Sequence, residues 1–123
     1  MTTANLKVAH AIYDAYTAKD RATAEALIAD DFRFTSPLDN GIDRERYFAI
    51  CWPNNANIGG FEVVHIVEND EQVFVTYEAQ SKQARFRNTE ILTIRDGQIV
   101  ALEVYFGWNV PHDVPIGEHR DPK

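Results

Sequence analysis

Apolar residues recur along the chain at two different spacings, and the change from one to the other divides it. Leu6, Ala9, Ile12, Tyr13 and Tyr16 stand three or four apart behind Thr2-Thr3, which predicts an amphipathic helix over 4–18 with a threonine N-cap. Asp20 is placed to cap a second, shorter helix with Ala24, Leu27 and Ile28 on its inner face, ended by Asp30-Asp31. A strand over 32–36 follows and stops at Pro37, after which 38–42 read as a loop turning at Asn40-Gly41. Asp43 caps a third helix carrying Tyr47, Phe48, Ile50 and Cys51, ended by Pro53 and the asparagines Asn54, Asn55 and Asn57.

From Gly60 the spacing becomes two. Phe61, Val63, His65 and Val67 alternate along one strand, and Val73, Val75, Tyr77 and Ala79 along the next, with Asn69-Asp70-Glu71 between them. Two longer strands within 86–108 meet at Asp96-Gly97, the strongest short-range hairpin signal a sequence offers. Beyond Trp108 the periodicity stops, and Pro111, Pro115, Gly117 and Pro122 make an irregular tail. Helix, helix, strand, helix and four antiparallel strands predict one α+β domain over 1–123, with its core in 5–108 and a tail over 109–123. Its sheet is curved and antiparallel, with three N-terminal helices on the concave side.

The register of the last hairpin decides what the concave face carries. A two-residue turn at Asp96-Gly97 sets Glu90 opposite Glu103, a destabilising like-charge pair. A three-residue loop with Gly97 as the left-handed residue of a bulge instead puts Glu90 on one face with Leu92, Ile94, Val100, Leu102, Val104 and Phe106. The second register is favoured, leaving Arg87, Thr89, Thr93, Glu103 and Tyr105 outside.

The chain has 123 residues, 45% of them hydrophobic, and a formal net charge of −7. One core fits this length, and the negative charge disfavours nucleic acid and anionic membrane surfaces as partners. Lys82, Arg85 and Arg87 form the one basic cluster and read as a solvated face. Cys51 has no partner for a disulfide and reads as a small buried hydrophobe. No apolar run is long enough to span a membrane and no signal-peptide pattern opens the chain. A cytoplasmic protein is the expectation.

Three groups are candidates for chemistry. Glu90, desolvated on an apolar face, is expected to hold its proton more tightly than an exposed glutamate and so to donate a hydrogen bond or move a proton. The alternative is a structural contact bridged by Asn88, Tyr77 or an arginine. Asp39, beside Ser36 at the end of the first strand, is either a base at a pocket mouth or ordinary turn chemistry. His65 is either a proton shuttle or a packed strand residue. Tyr16, Phe34, Trp52, Tyr77, Phe106 and Trp108 come from different elements and are expected to converge on one concavity, suited to a flat apolar ligand. The histidines show no metal-ligand spacing and no phosphate loop or nucleotide fingerprint is present, so neither metal nor cofactor is assigned.

Ala18-Lys-Asp20, Leu27-Ile-Ala-Asp-Asp-Phe32, Ser36-Pro37, Asn88-Thr-Glu90, and Asp96-Gly-Gln-Ile99 through Tyr105-Phe-Gly107, in this order, resemble the NTF2-like superfamily. Within it they resemble the SnoaL-like group of polyketide cyclases and ketosteroid isomerases. The resemblance covers residues 5–108 and implies a cystatin-like half-cone and a homodimer formed through the outer sheet face with Arg87, Glu103 and Tyr105. It implies a base aspartate at the position of Ser36, an oxyanion-hole tyrosine at about Ile12 beside Tyr13 and Tyr16, and the oxyanion-hole acid at Glu90. The aspartate that cyclases and epoxide hydrolases of the superfamily carry on the last strand falls at about Val104. Only the acid at Glu90 survives, so Asp39 or His65 must take over as base.

The expected function is therefore a small-molecule-binding domain whose pocket includes Ser36, Asn88 and Val104 with the aromatic residues named above. Its ligand is an apolar or aromatic carbonyl compound, and its chemistry cofactor-independent isomerisation or cyclisation by proton transfer. The alternative is a non-catalytic ligand-binding or dimerisation module. A protein-transport adaptor, for which no peptide groove is visible, ranks third.

Overall fold

The computed structural model describes residues 3–122. Helix α1 (Ala4–Ala18) starts at Thr3, whose hydroxyl accepts the Leu6 N–H at 3.2 Å. Thr2, the other half of the expected cap, lies outside the described residues. The helix ends at Lys19 in the left-handed conformation, and Ala9, Ile12, Tyr13 and Ala15 form its buried stripe. Asp20 caps α2 (Arg21–Leu27) by accepting the Thr23 N–H at 3.1 Å. Ile28 belongs to the next element, contrary to expectation. Strand β1 (Ile28–Ser36) begins as soon as α2 stops, because Ile28 is needed beside Ile99 of the last strand. Asp30 and Asp31 are therefore exposed strand residues and do not form a helix end.

The expected loop after Pro37 is also a strand. Pro37-Leu38 makes a tight turn, and β2 (Asp39–Asp43) runs back along β1 with Phe34 opposite Ile42 and Ser36 opposite Asp39. The Asn40-Gly41 signal is used inside β2, where the register shifts, Gly41 takes a φ of 63° and its N–H is accepted by the Thr35 hydroxyl. Asp43 caps α3 (Arg44–Ile50), accepting the Arg46 N–H at 2.9 Å. A 3₁₀ turn with Pro53 near its start, Trp52–Asn57, leads into β3 (Ile58–Asn69).

The meander β3, β4 (Gln72–Ser81), β5 (Arg85–Arg95) and β6 (Gln98–Asn109) forms as expected. The sheet order is β2-β1-β6-β5-β4-β3, and β6 lies parallel to β1. Two features of the expected sheet thus need correction: it has six strands, and it is mixed rather than wholly antiparallel. The fold is otherwise the expected α+β arrangement, a curved, unclosed sheet whose concave side is covered by the helices. Its core runs from Ala9, Ile12 and Ala15 of α1 through Phe32, Tyr47 and Phe48 to Val73, Val75, Leu92, Ile94 and Ile99 of the sheet.

The β5–β6 hairpin combines parts of both expected registers. Asp96 and Gly97 have φ values of 54° and 77°, and Arg95 pairs with Gln98, which is the two-residue turn. Pairing then slips between Ile94–Ile99 and Thr93–Ala101, so Val100 is an extra residue in β6. Beyond that bulge Glu90 stands opposite Val104 and Leu92 opposite Leu102, and the like-charge pair is avoided. Ile99, not Val100, is the residue buried on the concave side.

Two more irregularities redirect side chains. In β3 the register shifts between Val63 and His65, so Phe61 and Ile66 face the core while His65 pairs with Thr76 on the outer face. At the end of β6 it shifts again around Gly107, opposite Arg87. A β-carbon on Gly107 would collide with the Arg87 carbonyl oxygen. On the outer face Glu78 is gripped by Arg85 at 2.7 Å and by Arg87, so the two arginines of the expected basic cluster are paired, and they hold the Glu78 carboxyl below the usual carboxylate range.

Candidate functional site

A cavity of about 470 Å³ in the α2–α3 cleft is lined mainly by charged side chains. A larger one, about 720 Å³, lies between the concave face of the sheet, α1, α3 and the 3₁₀ turn. Its lining is mostly apolar, with Phe34, Tyr47, Phe61, Leu102, Val104 and Phe106 among its walls. Within those walls sits Glu90, 9% exposed.

Three elements hold the Glu90 carboxyl. Val75 pairs with Glu90, so Tyr77 of β4 projects from the same sheet face two residues along. Tyr13 reaches down from the inner stripe of α1. The Tyr77 hydroxyl donates to Oε2 at 2.5 Å and the Tyr13 hydroxyl to Oε1 at 2.8 Å. Phe61 closes the group, its ring 4.9 Å from that of Tyr77 and 5.3 Å from that of Tyr13. Asn88 Nδ2 donates to the Tyr77 oxygen at 3.4 Å, while its Oδ1 accepts the Gly107 N–H at 3.1 Å.

Burial raises the proton affinity of Glu90, opposed only in part by hydrogen bonds from Tyr77 and Tyr13. The Tyr13 and Tyr77 phenols are pushed well above their ordinary value, first by burial and then by the neighbouring Glu90. Tyr16 is pushed up for the same two reasons. Both phenols therefore keep their protons, and a Glu90 that holds its own can donate a hydrogen bond to the Tyr77 oxygen, freeing the Tyr77 O–H to point elsewhere.

Asp39 also lines the cavity. Ser36 Oγ donates to Asp39 Oδ2 at 2.8 Å and accepts the Leu38 N–H at 3.0 Å, so the corner makes its turn contacts and still faces the pocket. Cys51 lies in the same lining, and its thiol is pushed up to about 11 by burial and then by Asp39. A thiolate nucleophile is thereby disfavoured.

Of the residues expected at the site, Glu90, Asp39, Tyr16, Phe34, Ser36, Tyr77, Asn88, Val104 and Phe106 line this one cavity. Three do not. His65 is turned to the outer face by the β3 bulge and is exposed. Trp108 is turned outward by the Gly107 irregularity and packs 5.8 Å from the Arg87 guanidinium and 5.6 Å from the His112 ring. Trp52 packs behind the wall, against Tyr16 at 4.9 Å and Phe48 at 6.0 Å. Asn55 is a site residue that the sequence did not single out, and Tyr13 entered only as a neighbour of the oxyanion-hole position that the resemblance puts at about Ile12. Tyr13 stands in the same helical stripe as Ile12 and Tyr16, where core and pocket residues look alike. Among the described residues no group of three or more His, Cys, Asp or Glu is placed to hold a metal ion, and no helix is long and apolar enough to cross a membrane.

The half-cone fold agrees with what comparison with known proteins finds. The model of the SnoaL-like domain matches residues 9–102, and the chain belongs to that family. Among solved structures, a Kribbella flavida protein superposes with a TM-score of 0.79 at 24% identity, over 85% of this chain and 88% of its own. A candidate ketosteroid isomerase from the same organism gives 0.75 at 17% identity, over 99% and 93%. An epoxide hydrolase of the LEH-like type from M. tuberculosis gives 0.70 at 20% identity, over 86% and 84%. At these identities the likeness is one of fold. None of the curated proteins matches the chain by sequence.

Proposed function

We propose that the cavity binds a small apolar or aromatic molecule bearing a carbonyl or hydroxyl oxygen, and that the protein is an isomerase or cyclase working by proton transfer. The observation that carries this reading is Glu90, a carboxyl buried in an apolar cavity with Tyr13 and Tyr77 on its two oxygens. A ligand carbonyl beside the Tyr77 hydroxyl receives a hydrogen bond that strengthens as the adjacent carbon loses a proton and charge gathers on oxygen. Asp39, in the same lining, is the carboxylate to take that proton. No step calls for a metal or an organic cofactor. Relatives of the fold described as a candidate ketosteroid isomerase, an LEH-like epoxide hydrolase and a candidate polyketide cyclase from Sinorhizobium meliloti support a reactive pocket here.

The test is conjugation of β,γ-unsaturated ketones, followed by the absorbance of the conjugated product. Wild-type protein is expected to catalyse it and Glu90→Gln to lose it with the fold intact; full activity in the Gln variant removes Glu90 from the reaction.

The same reading includes a homodimer formed through the outer sheet face. Tyr105 and Trp108 are half-exposed there, and Val67 is more exposed still, which supports a covered surface. Sedimentation of wild type and Tyr105→Glu, expected as dimer and monomer, tests it.

A further inference from the structure

The cavity has a second polar feature that the Glu90 chemistry does not use. Asn55, in the 3₁₀ turn, lines the cavity and is only 4% exposed. Its Oδ1 accepts a hydrogen bond from Lys19 Nζ at 3.1 Å, and the same ammonium donates to the Ile58 carbonyl at 2.6 Å. That contact fixes the amide's orientation: oxygen toward Lys19, nitrogen away from it. Asn55 Nδ2 is then a buried donor without a partner among the described residues. Burying such a donor without a partner is unfavourable, so a partner is expected.

Its neighbours do not share this state. Asn57 donates to Gln83 and accepts from the Lys82 N–H, while Asn54 is exposed. The one asparagine of the three that is buried is the one with an unused donor. It is held at the C-terminal end of α1 by Lys19, six residues beyond Tyr13, which is about 9 Å along the helix axis.

Building on the proposed reading of the cavity, we propose that Asn55 is a second recognition point. The ligand is then an elongated apolar molecule with one hydrogen-bonding oxygen at the Glu90–Tyr77 pair and a carbonyl-type acceptor at the other end, received by Asn55 Nδ2. Lys19 is a positioning residue that engages the amide oxygen and so leaves the nitrogen free for the ligand.

The test uses two naphthols of the same shape, 6-acetyl-2-naphthol and 6-isopropenyl-2-naphthol, which differ in exchanging a carbonyl oxygen for a methylene. Their affinities are measured by calorimetric titration against wild type, Asn55→Ala and Lys19→Met. Wild type is expected to bind the ketone roughly five- to tenfold more tightly, the worth of one good hydrogen bond. Asn55→Ala abolishes that preference while keeping the affinity for the isopropenyl compound, and Lys19→Met reduces the preference. A merely structural Asn55 shifts both ligands alike. If both naphthols bind wild type equally, this inference fails and the Glu90 reading stands; if neither binds, the reading of the cavity fails and takes the inference with it. The wild-type comparison needs no variant, so a misfolded Asn55→Ala protein leaves the test decisive.

Discussion

The Tyr77 hydroxyl lies 2.5 Å from Glu90 Oε2, a contact between neighbouring strands that joins sheet register to chemistry. It exists because Val75 is paired with Glu90, which sets Tyr77 and Glu90 on one face. Replacing Tyr77 by Phe removes a donor from a buried carboxyl and is expected to cost roughly 1–3 kcal/mol of stability. Because this hydrogen bond lowers the proton affinity of Glu90, its loss also makes Glu90 harder to ionise. Urea unfolding checks the first effect; an unchanged midpoint would show the contact to be unimportant.

Glu90 also makes stability depend on pH in a definite direction. Burial raises its folded-state pKa above the unfolded value, so in the window between the two the native state holds a proton that the unfolded chain has released. The stability this contributes is complete below the unfolded carboxylate range and is lost as pH rises through the folded value. Glu90→Gln has no such group. The unfolding free energy of wild type minus that of the variant should therefore fall with rising pH across the window and flatten above it. Glu78, whose carboxyl is lowered, acts with the opposite sign but is present in both proteins and cancels. A difference that stays level or climbs would mean Glu90 is not desolvated.

Much of this could be read from the sequence. The caps at Thr3, Asp20 and Asp43, the period-two strands and the apolar face around Glu90 all follow from local rules, and local hydrogen bonds enforce them. What escaped were the bulges in β3 and at the end of β6. Each inserts one residue with no sequence mark beyond a glycine or valine that alternation would accept, and each reverses the faces beyond it. His65 and Trp108 were expected inside and lie outside for that reason. Tyr13 hid in a helical stripe that serves core and pocket alike. Strand β2 was hidden by Asn40-Gly41, a turn signal used here to bend a strand.

Two carboxylate and imidazole variants separate the candidate bases. Asp39 faces the cavity and His65 does not. Asp39→Asn, which keeps an oxygen to accept the Ser36 hydroxyl, is expected to lower turnover of the β,γ-unsaturated ketones about 10²- to 10⁴-fold, the usual contribution of a positioned base. His65→Ala should leave kcat and KM unchanged. The reverse pattern would require His65 to reach the ligand and would contradict the β3 register.

Gly107→Ala tests the irregularity that turns Trp108 outward. The added β-carbon meets the Arg87 carbonyl oxygen, a backbone atom that cannot step aside without opening the β5–β6 pairing. The cost is expected at roughly 1–3 kcal/mol or above, as for other overpacked sites. It should be accompanied by a change in Trp108 fluorescence as its contact with Arg87 is lost. Wild-type stability in the variant would argue against this strand path.

The most direct measurement is the carbon-13 spectrum of protein labelled at the glutamate side-chain carboxyls, with the Glu90 signal assigned by its absence in Glu90→Gln. It is titrated with acid and base, alone and with 2-naphthol bound. The predicted result is a Glu90 signal that titrates at higher pH than the exposed glutamates and shifts when the naphthol enters. A Glu90 that titrates with the surface carboxylates and ignores the naphthol would contradict the account.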